Sequence, residues 1–194
     1  MAEQKWPQVL WIVRHGQSAG NVAREAAEAA GIDASALAAQ RDERLREKEF
    51  GVLDRLTKVG IRHKYPELSE QRAHVGKFYF RPPGGESWCD VLLRLRSLLD
   101  TMTREYRRQR VLIVAHQVIV NCLRYLLERM SEEQILAIDN AADVPNCSVT
   151  SYEFDPSAGR AGKLLPRLVN FVAPLEEAGA PITAAPDVPG APKS

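Results

Sequence analysis

Cysteine is scarce in this 194-residue chain: the three thiols, Cys89, Cys122 and Cys147, are odd in number, widely spaced and free of any Cys-x-x-Cys pair. That argues against both a disulfide framework and a zinc site, and leaves each thiol the part of a small buried hydrophobe. No apolar run approaches the roughly 18 residues a membrane span needs. Net charge is nearly absent too, at +1. The chain as a whole therefore has no general attraction to nucleic acid or to an anionic membrane, and any anion must be bound by a local group of cations. No cluster of carboxylates offers a magnesium site, and no internal repeat is present. The residues before Pro7 lack the layout of a signal peptide, because the short apolar run after Lys5 soon meets Arg14 and His15. The expectation is a cytosolic protein.

What is there fits one domain with a real core, 45% hydrophobic and 26% charged. We place it at residues 1–172, followed by a Pro- and Ala-rich tail, 173–194, expected to be disordered. Val9 to Val13 is an apolar, β-branched run that suits a buried parallel strand, and it stops at Arg14-His15-Gly16. Ser18 can cap a helix over Val22 to Ala30, with Asn21 in its first turn facing the same pocket as His15, and Asp33 to Gln40 reads as a second alanine-rich helix.

Arg41 to Glu49 is dense in mixed charge and reads as solvated surface, the alternative being that Arg44 or Arg46 points into an anion pocket. Lys58 to Glu67 reads as a short helix stopped by Pro66, with His63 and the later His74 exposed. Lys77, Tyr79 and Arg81 stand in a loop before Pro82-Pro83-Gly84-Gly85 that could cover a substrate or simply pack. After that loop, Trp88, Val91, Leu92, Leu95, Leu98, Leu99, Met102 and Tyr106 recur at helical spacing, and Ser87 with Asp90 resembles a capping box. Glu86, just ahead of this helix, is either a helix-dipole partner or a proton donor.

A second strand, Arg110 to Ala115, also ends in a histidine, His116, and a helix over Val118 to Met130 follows. Ser131 to Gln134 is a capping box for another helix, and Cys147 to Phe154 and Leu164 to Val172 read as later strands joined by a turn. Two strands ending in histidines would set the imidazoles side by side at the carboxyl edge of a sheet, where ligands of α/β folds bind. Arg14 adds a planar fork of donors suited to phosphate oxygens. A neutral imidazole is a nucleophile without a separate base, and phosphoryl transfer mostly needs charge stabilisation around it.

The string Arg14-His15-Gly16-Gln17-Ser18-x-x-Asn21, then Arg46-Glu47 with Phe50-Gly51, then Gly84-Gly85-Glu86-Ser87, then the strand ending at His116, resembles the histidine phosphatase superfamily in its phosphoglycerate mutase-like branch. The resemblance implies an α/β fold, a three-layer αβα sandwich with a mostly parallel central sheet. It implies His15 as the phosphorylated nucleophile, Arg14, Asn21 and His116 as phosphate ligands, and Glu86 as the acid/base. Gln117 stands where relatives have Gly, which leaves its backbone N–H available to the oxyanion. Between residues 22 and 45 nothing matches the family segment that carries a further strand and a second phosphate-binding arginine, so Arg41, Arg44 or Arg81 must supply that cation if any residue does. A missing donor costs roughly two to three orders of magnitude in rate. The reading is a metal-independent phosphomonoesterase, without a cofactor, that acts on a small phosphorylated substrate at a low rate. The alternatives are an impaired relative that only binds phosphorylated ligands, and phosphoglycerate mutase-type phosphotransfer. A sheet short of one strand would leave an edge for a second copy of the chain to cover.

Overall fold

The computed structural model describes residues 4–16, 40–173, 179 and 182–183. Two hydrophobic strands and the helices packed on them form its centre. Strand β1 (Val9–Arg14) buries Leu10, Ile12, Val13 and Arg14. It pairs in parallel with β2 (Arg110–Ala115), Val9 facing Arg110 and Arg14 facing Ala115. On its other side β1 pairs antiparallel with β3 (Val149–Asp155), and β3 pairs antiparallel with β4 (Lys163–Phe171). The sheet order is β2-β1-β3-β4.

The sheet is therefore mixed, and the expectation of a mostly parallel one needs correction: among the described residues one pairing is parallel and two are antiparallel. The short link from Asp155 to Lys163 is the reason for one of these. A connection that short can only fold back as a hairpin, because a parallel crossover takes a dozen residues or more.

Five α-helices accompany the sheet among the described residues. The first, α1 (Lys58–Lys64), ends just ahead of Pro66 as expected, while the second, α2 (Pro66–Val75), starts at that proline and was not expected. Pro66 begins the second helix, at a position whose N–H would have no partner in any case. Helix α3 (Trp88–Glu105) carries the expected capping box, with the Ser87 hydroxyl accepting from the Asp90 amide and the Asp90 carboxylate accepting from the Ser87 amide. Its apolar stripe from Trp88 to Met102 is buried.

Helix α4 (Gln117–Glu128) has His116 as its N-cap and buries Ile119, Val120, Asn121, Cys122, Leu123 and Arg124. Helix α5 (Glu132–Ala141) starts with the Ser131–Gln134 box. The core gathers β1, β2, α3, α4 and Tyr152, while a small second cluster of Leu53, Ile61 and Phe80 sits under α1. The three cysteines are free thiols. His63 and His74 are exposed, as expected.

The expected helices over Val22 to Ala30 and Asp33 to Gln40 lie outside the described residues but for Gln40, as do the segment 22–45 expected to be shortened, apart from residues 40–45, and most of the tail. Within the tail, Thr183 is held by Asn146, which donates from its backbone N–H (2.8 Å) and from its side chain (2.9 Å). No helix among the described residues is long and apolar enough to cross a membrane.

Candidate active site

Register brings the histidines together. Arg14 and Ala115 are direct partners in a parallel pair, so the residues that follow them leave the sheet side by side. The ladder runs one bond further, from the His15 amide to the Ala115 carbonyl at 2.9 Å. The two rings meet edge to face with centroids 4.2 Å apart, and His15 Nε2 lies 2.7 Å from His116 Nδ1.

Proton positions follow from the partners. His15 Nδ1 is 2.7 Å from the Gly16 carbonyl oxygen, which can only accept, so Nδ1 carries the hydrogen. In the neutral ring Nε2 then holds the lone pair, and His116 Nδ1–H donates to it. The arrangement leaves the lone pair on His15 Nε2 and a donor on His116 Nδ1 facing each other at the sheet edge.

His116 also starts α4 without capping it through its side chain. His116 therefore stands at the positive end of that helix. Gln117, in the first turn, donates from Nε2 to Asp143 at 2.7 Å, which leaves its backbone as the part expected to meet an oxyanion. Arg14 is fully buried and donates from Nη1 to the Val144 carbonyl. Asn21 lies outside the described residues.

Glu86, expected as the acid/base, is placed otherwise. Its Oε1 accepts from Arg46 Nη2 (2.9 Å) and Arg94 Nε (3.0 Å), and its Oε2 accepts from Arg94 Nη2 and from the Glu49 amide, both at 3.0 Å. Burial pushes the Glu86 carboxyl up, but the bonds from Arg94 and the Glu49 amide, with the charges of Arg94 and Arg46, outweigh it and hold the group below its ordinary value. It is an ionised group with its lone pairs occupied, and so a poor proton donor.

The carboxylate that does share the α4 N-terminus is Glu47, whose Oε2 lies 3.5 Å from the Val118 amide and whose Oε1 accepts from the Lys48 amide at 2.7 Å. Nothing periodic in the charged run marked it. The available signal was its position inside the Arg46-Glu47/Phe50-Gly51 motif. Lys48, beside it, is buried with its ammonium 4.5 Å from the Phe50 ring centroid. Burial, aided by repulsion from Arg72, pushes this amine down to about 8 against the pull of Glu86 and Glu47.

The other candidates are engaged elsewhere. Arg44 is turned onto α3: Asp42 accepts from its Nε at 2.9 Å, and its Nη1 reaches the Ser97 carbonyl (3.0 Å) and Thr101 Oγ1 (2.9 Å). Arg46 is spent on Glu86. Lys77 is drawn inward by the buried Asp139, which also accepts from Asn121 Nδ2 at 2.9 Å. The Tyr79 hydroxyl donates to Glu132, whose charge and bond push the phenol up to about 12. Arg81 donates to the Gly85 carbonyl at 3.1 Å and faces Asp90 at 3.4 Å. Arg41 is exposed. None of these bonds is made to His15 or His116. No group of three or more His, Cys, Asp or Glu among the described residues is placed to hold a metal ion.

Comparison with known proteins places the chain among relatives. The family profile described as histidine phosphatase superfamily (branch 1) matches residues 22–164. A 2,3-bisphosphoglycerate-dependent phosphoglycerate mutase of Allorhizobium ampelinum is 33% identical over 115 residues, 57% of this chain and 53% of that protein. The human 6-phosphofructo-2-kinase/fructose-2,6-bisphosphatase 3 is 37% identical over 90 residues, 46% of this chain and 16% of that protein. The match thus spans about half the length of the first relative and under a fifth of the second. Among solved structures, a mycobacterial glucosyl-3-phosphoglycerate phosphatase in complex with inorganic phosphate is similar in fold, with a TM-score of 0.61 at 20% identity over 86% of this chain and 98% of that one.

Proposed function

The chain belongs to the histidine phosphatase superfamily (branch 1), and from that premise we propose that it hydrolyses a phosphomonoester through a phosphohistidine at His15. The observation that carries the reading is the 2.7 Å approach of His15 Nε2 to His116 Nδ1 at the start of α4.

The steps follow from the donors. Substrate displaces the bond between the rings, a phosphoryl oxygen accepts a hydrogen bond from His116 Nδ1–H, and His15 Nε2 attacks phosphorus in line with the leaving oxygen. Arg14, the Gln117 amide and Asn21 would share the remaining oxyanion charge. Glu47, in place of Glu86, gives its proton to the departing alcohol oxygen as the P–O bond breaks. As a carboxylate it then takes a proton from water, whose oxygen attacks phosphorus and releases His15 and inorganic phosphate. The Gly16 carbonyl keeps Nδ1 protonated throughout and so keeps Nε2 directed at the substrate. Hydrolysis is favoured over mutase chemistry because a mutase must shield its phosphoenzyme from water, which a pocket shortened between residues 22 and 45 makes harder.

The likeness to a phosphoglycerate mutase supports phosphotransfer as a second reading. Incubation with p-nitrophenyl phosphate is expected to release nitrophenol and inorganic phosphate and to leave an acid-labile phosphate on the protein, both lost in His15→Ala. Equal turnover by that variant would refute the nucleophile. Phosphate returned to a hydroxyl acceptor in preference to water would favour the mutase reading.

A further inference from the structure

One ion pair outside the reacting centre touches every part of the segment that carries Glu47. Arg94, from α3, donates Nε and Nη2 to the two oxygens of Glu86, Nη1 to the Arg44 carbonyl and Nη2 to the Glu47 carbonyl at 3.3 Å. Glu86 in turn accepts from the Glu49 amide and from Arg46. Backbone bonds complete the tie, from the Glu86 amide to the Glu49 carbonyl (2.9 Å) and from the Val52 amide to the Pro83 carbonyl (3.0 Å). Arg94 and Glu86 are both nearly buried, with 11% and 10% of their side chains exposed. In such surroundings a bidentate pair holds one geometry. Residues 44–49 have no helix or strand beyond a three-residue 3-10 turn to fix them, so these bonds set where the Glu47 backbone lies.

We propose that Arg94 and Glu86 are positioning residues that hold residues 44–49 so that the Glu47 carboxyl meets the leaving oxygen beside the His15–His116 pair. The inference rests on the reading of Glu47 as the acid.

Leaving groups provide the test. A p-nitrophenolate departs without a proton, whereas the alkoxide of 2-glycerophosphate needs one, so the ratio of kcat/KM for 2-glycerophosphate to that for p-nitrophenyl phosphate reports how well the acid is placed. In the full chain, Glu47→Gln is expected to lower this ratio about 100-fold or more, the scale of general acid catalysis. Glu86→Gln and Arg94→Lys are expected to lower it about 10-fold, because a lysine cannot reach two carbonyls and a carboxylate together. Arg46→Gln, at a half-exposed site, removes one bond to Glu86 without opening the core, and is expected to lower the ratio a few-fold even if the buried pair proves needed for folding. Loss of activity on both substrates in equal proportion, in every clamp variant that folds, would show that the pair is merely structural and overturn the proposal. An unchanged ratio in Glu47→Gln would remove the acid itself, and the clamp's purpose with it. A ratio that falls in Glu47→Gln alone would leave the acid standing and overturn the clamp.

Discussion

Lys48→Met should make this protein more stable near neutral pH although it deletes a charge and an aromatic contact. Lys48 is 9% exposed, and its amine titrates at about 8 where 10.5 is ordinary. At about 1.4 kcal/mol per pH unit, that difference makes the folded cation roughly 3 kcal/mol costlier than the unfolded one. Methionine keeps most of the volume of the stem and removes the cost. Against this stands the contact of the ammonium with the Phe50 ring, worth about 1 kcal/mol. The net expectation at about pH 7 is a gain of roughly 2 kcal/mol, read as a higher urea midpoint at unchanged slope.

The sign fixes the pH dependence. A lysine whose folded value is depressed costs stability in full below that value, and the cost fades as pH rises from about 8 to 10.5, where the amine becomes neutral in the unfolded chain as well. The advantage of Lys48→Met should therefore shrink through that window. A variant less stable than the parent at pH 7, or an advantage that stays constant through the window, would refute the reasoning.

Gly51 has φ +56°, and a Cβ there would lie 2.1 Å from the Pro83 carbonyl oxygen; Gly51→Ala is expected to cost more than about 3 kcal/mol in thermal or urea unfolding, and a cost under about 1 kcal/mol would show that the turn can move. Lys77→Met takes the cation away from the buried Asp139 carboxylate, which Asn121 also meets, so a loss of about 3 to 5 kcal/mol is expected, most of it recovered when Asp139→Leu is added. A double variant as unstable as the single one would show that the ion pair was not the source. Ser87→Ala removes one side of the α3 capping box and should cost about 1 kcal/mol without changing the leaving-group ratio, since the Glu86 bonds stay in place.

The parts of the fold that could be read in advance are those whose signal is local. Apolar runs ending in His15 and His116 mark two strands, and the Ser87–Asp90 box with its apolar stripe marks α3 almost to the residue. Proximity of the histidines followed once the strands were taken as parallel neighbours. The direction of β3 relative to β1 has no such signature, because a strand reads alike whichever way its partner runs, and the mixed sheet was missed for that reason. Pro66 carries an ambiguous signal, since the same residue closes one helix and opens the next. Glu86 reads as exposed by its glycine turn, but Arg94, far along the chain on α3, engages both of its oxygens together with Arg46 and the Glu49 amide, which no local signal foretells. The charged run from Arg41 to Glu49 looked like surface, and Arg46 and Glu49 are indeed exposed, while Lys48 between them is buried with its ammonium against Phe50.

The two histidines stand 101 residues apart in the chain, joined only by the register of β1 on β2. Local helices can form early and contribute nothing to the pairing of His15 with His116, since contact at such separation carries a loop-closure cost that slows it. Formation of the pair during refolding is thus a clock for one long-range event, the zipping of those two strands. In a growing nascent chain, β1 and His15 wait through half the length of the protein before the strand that completes them exists.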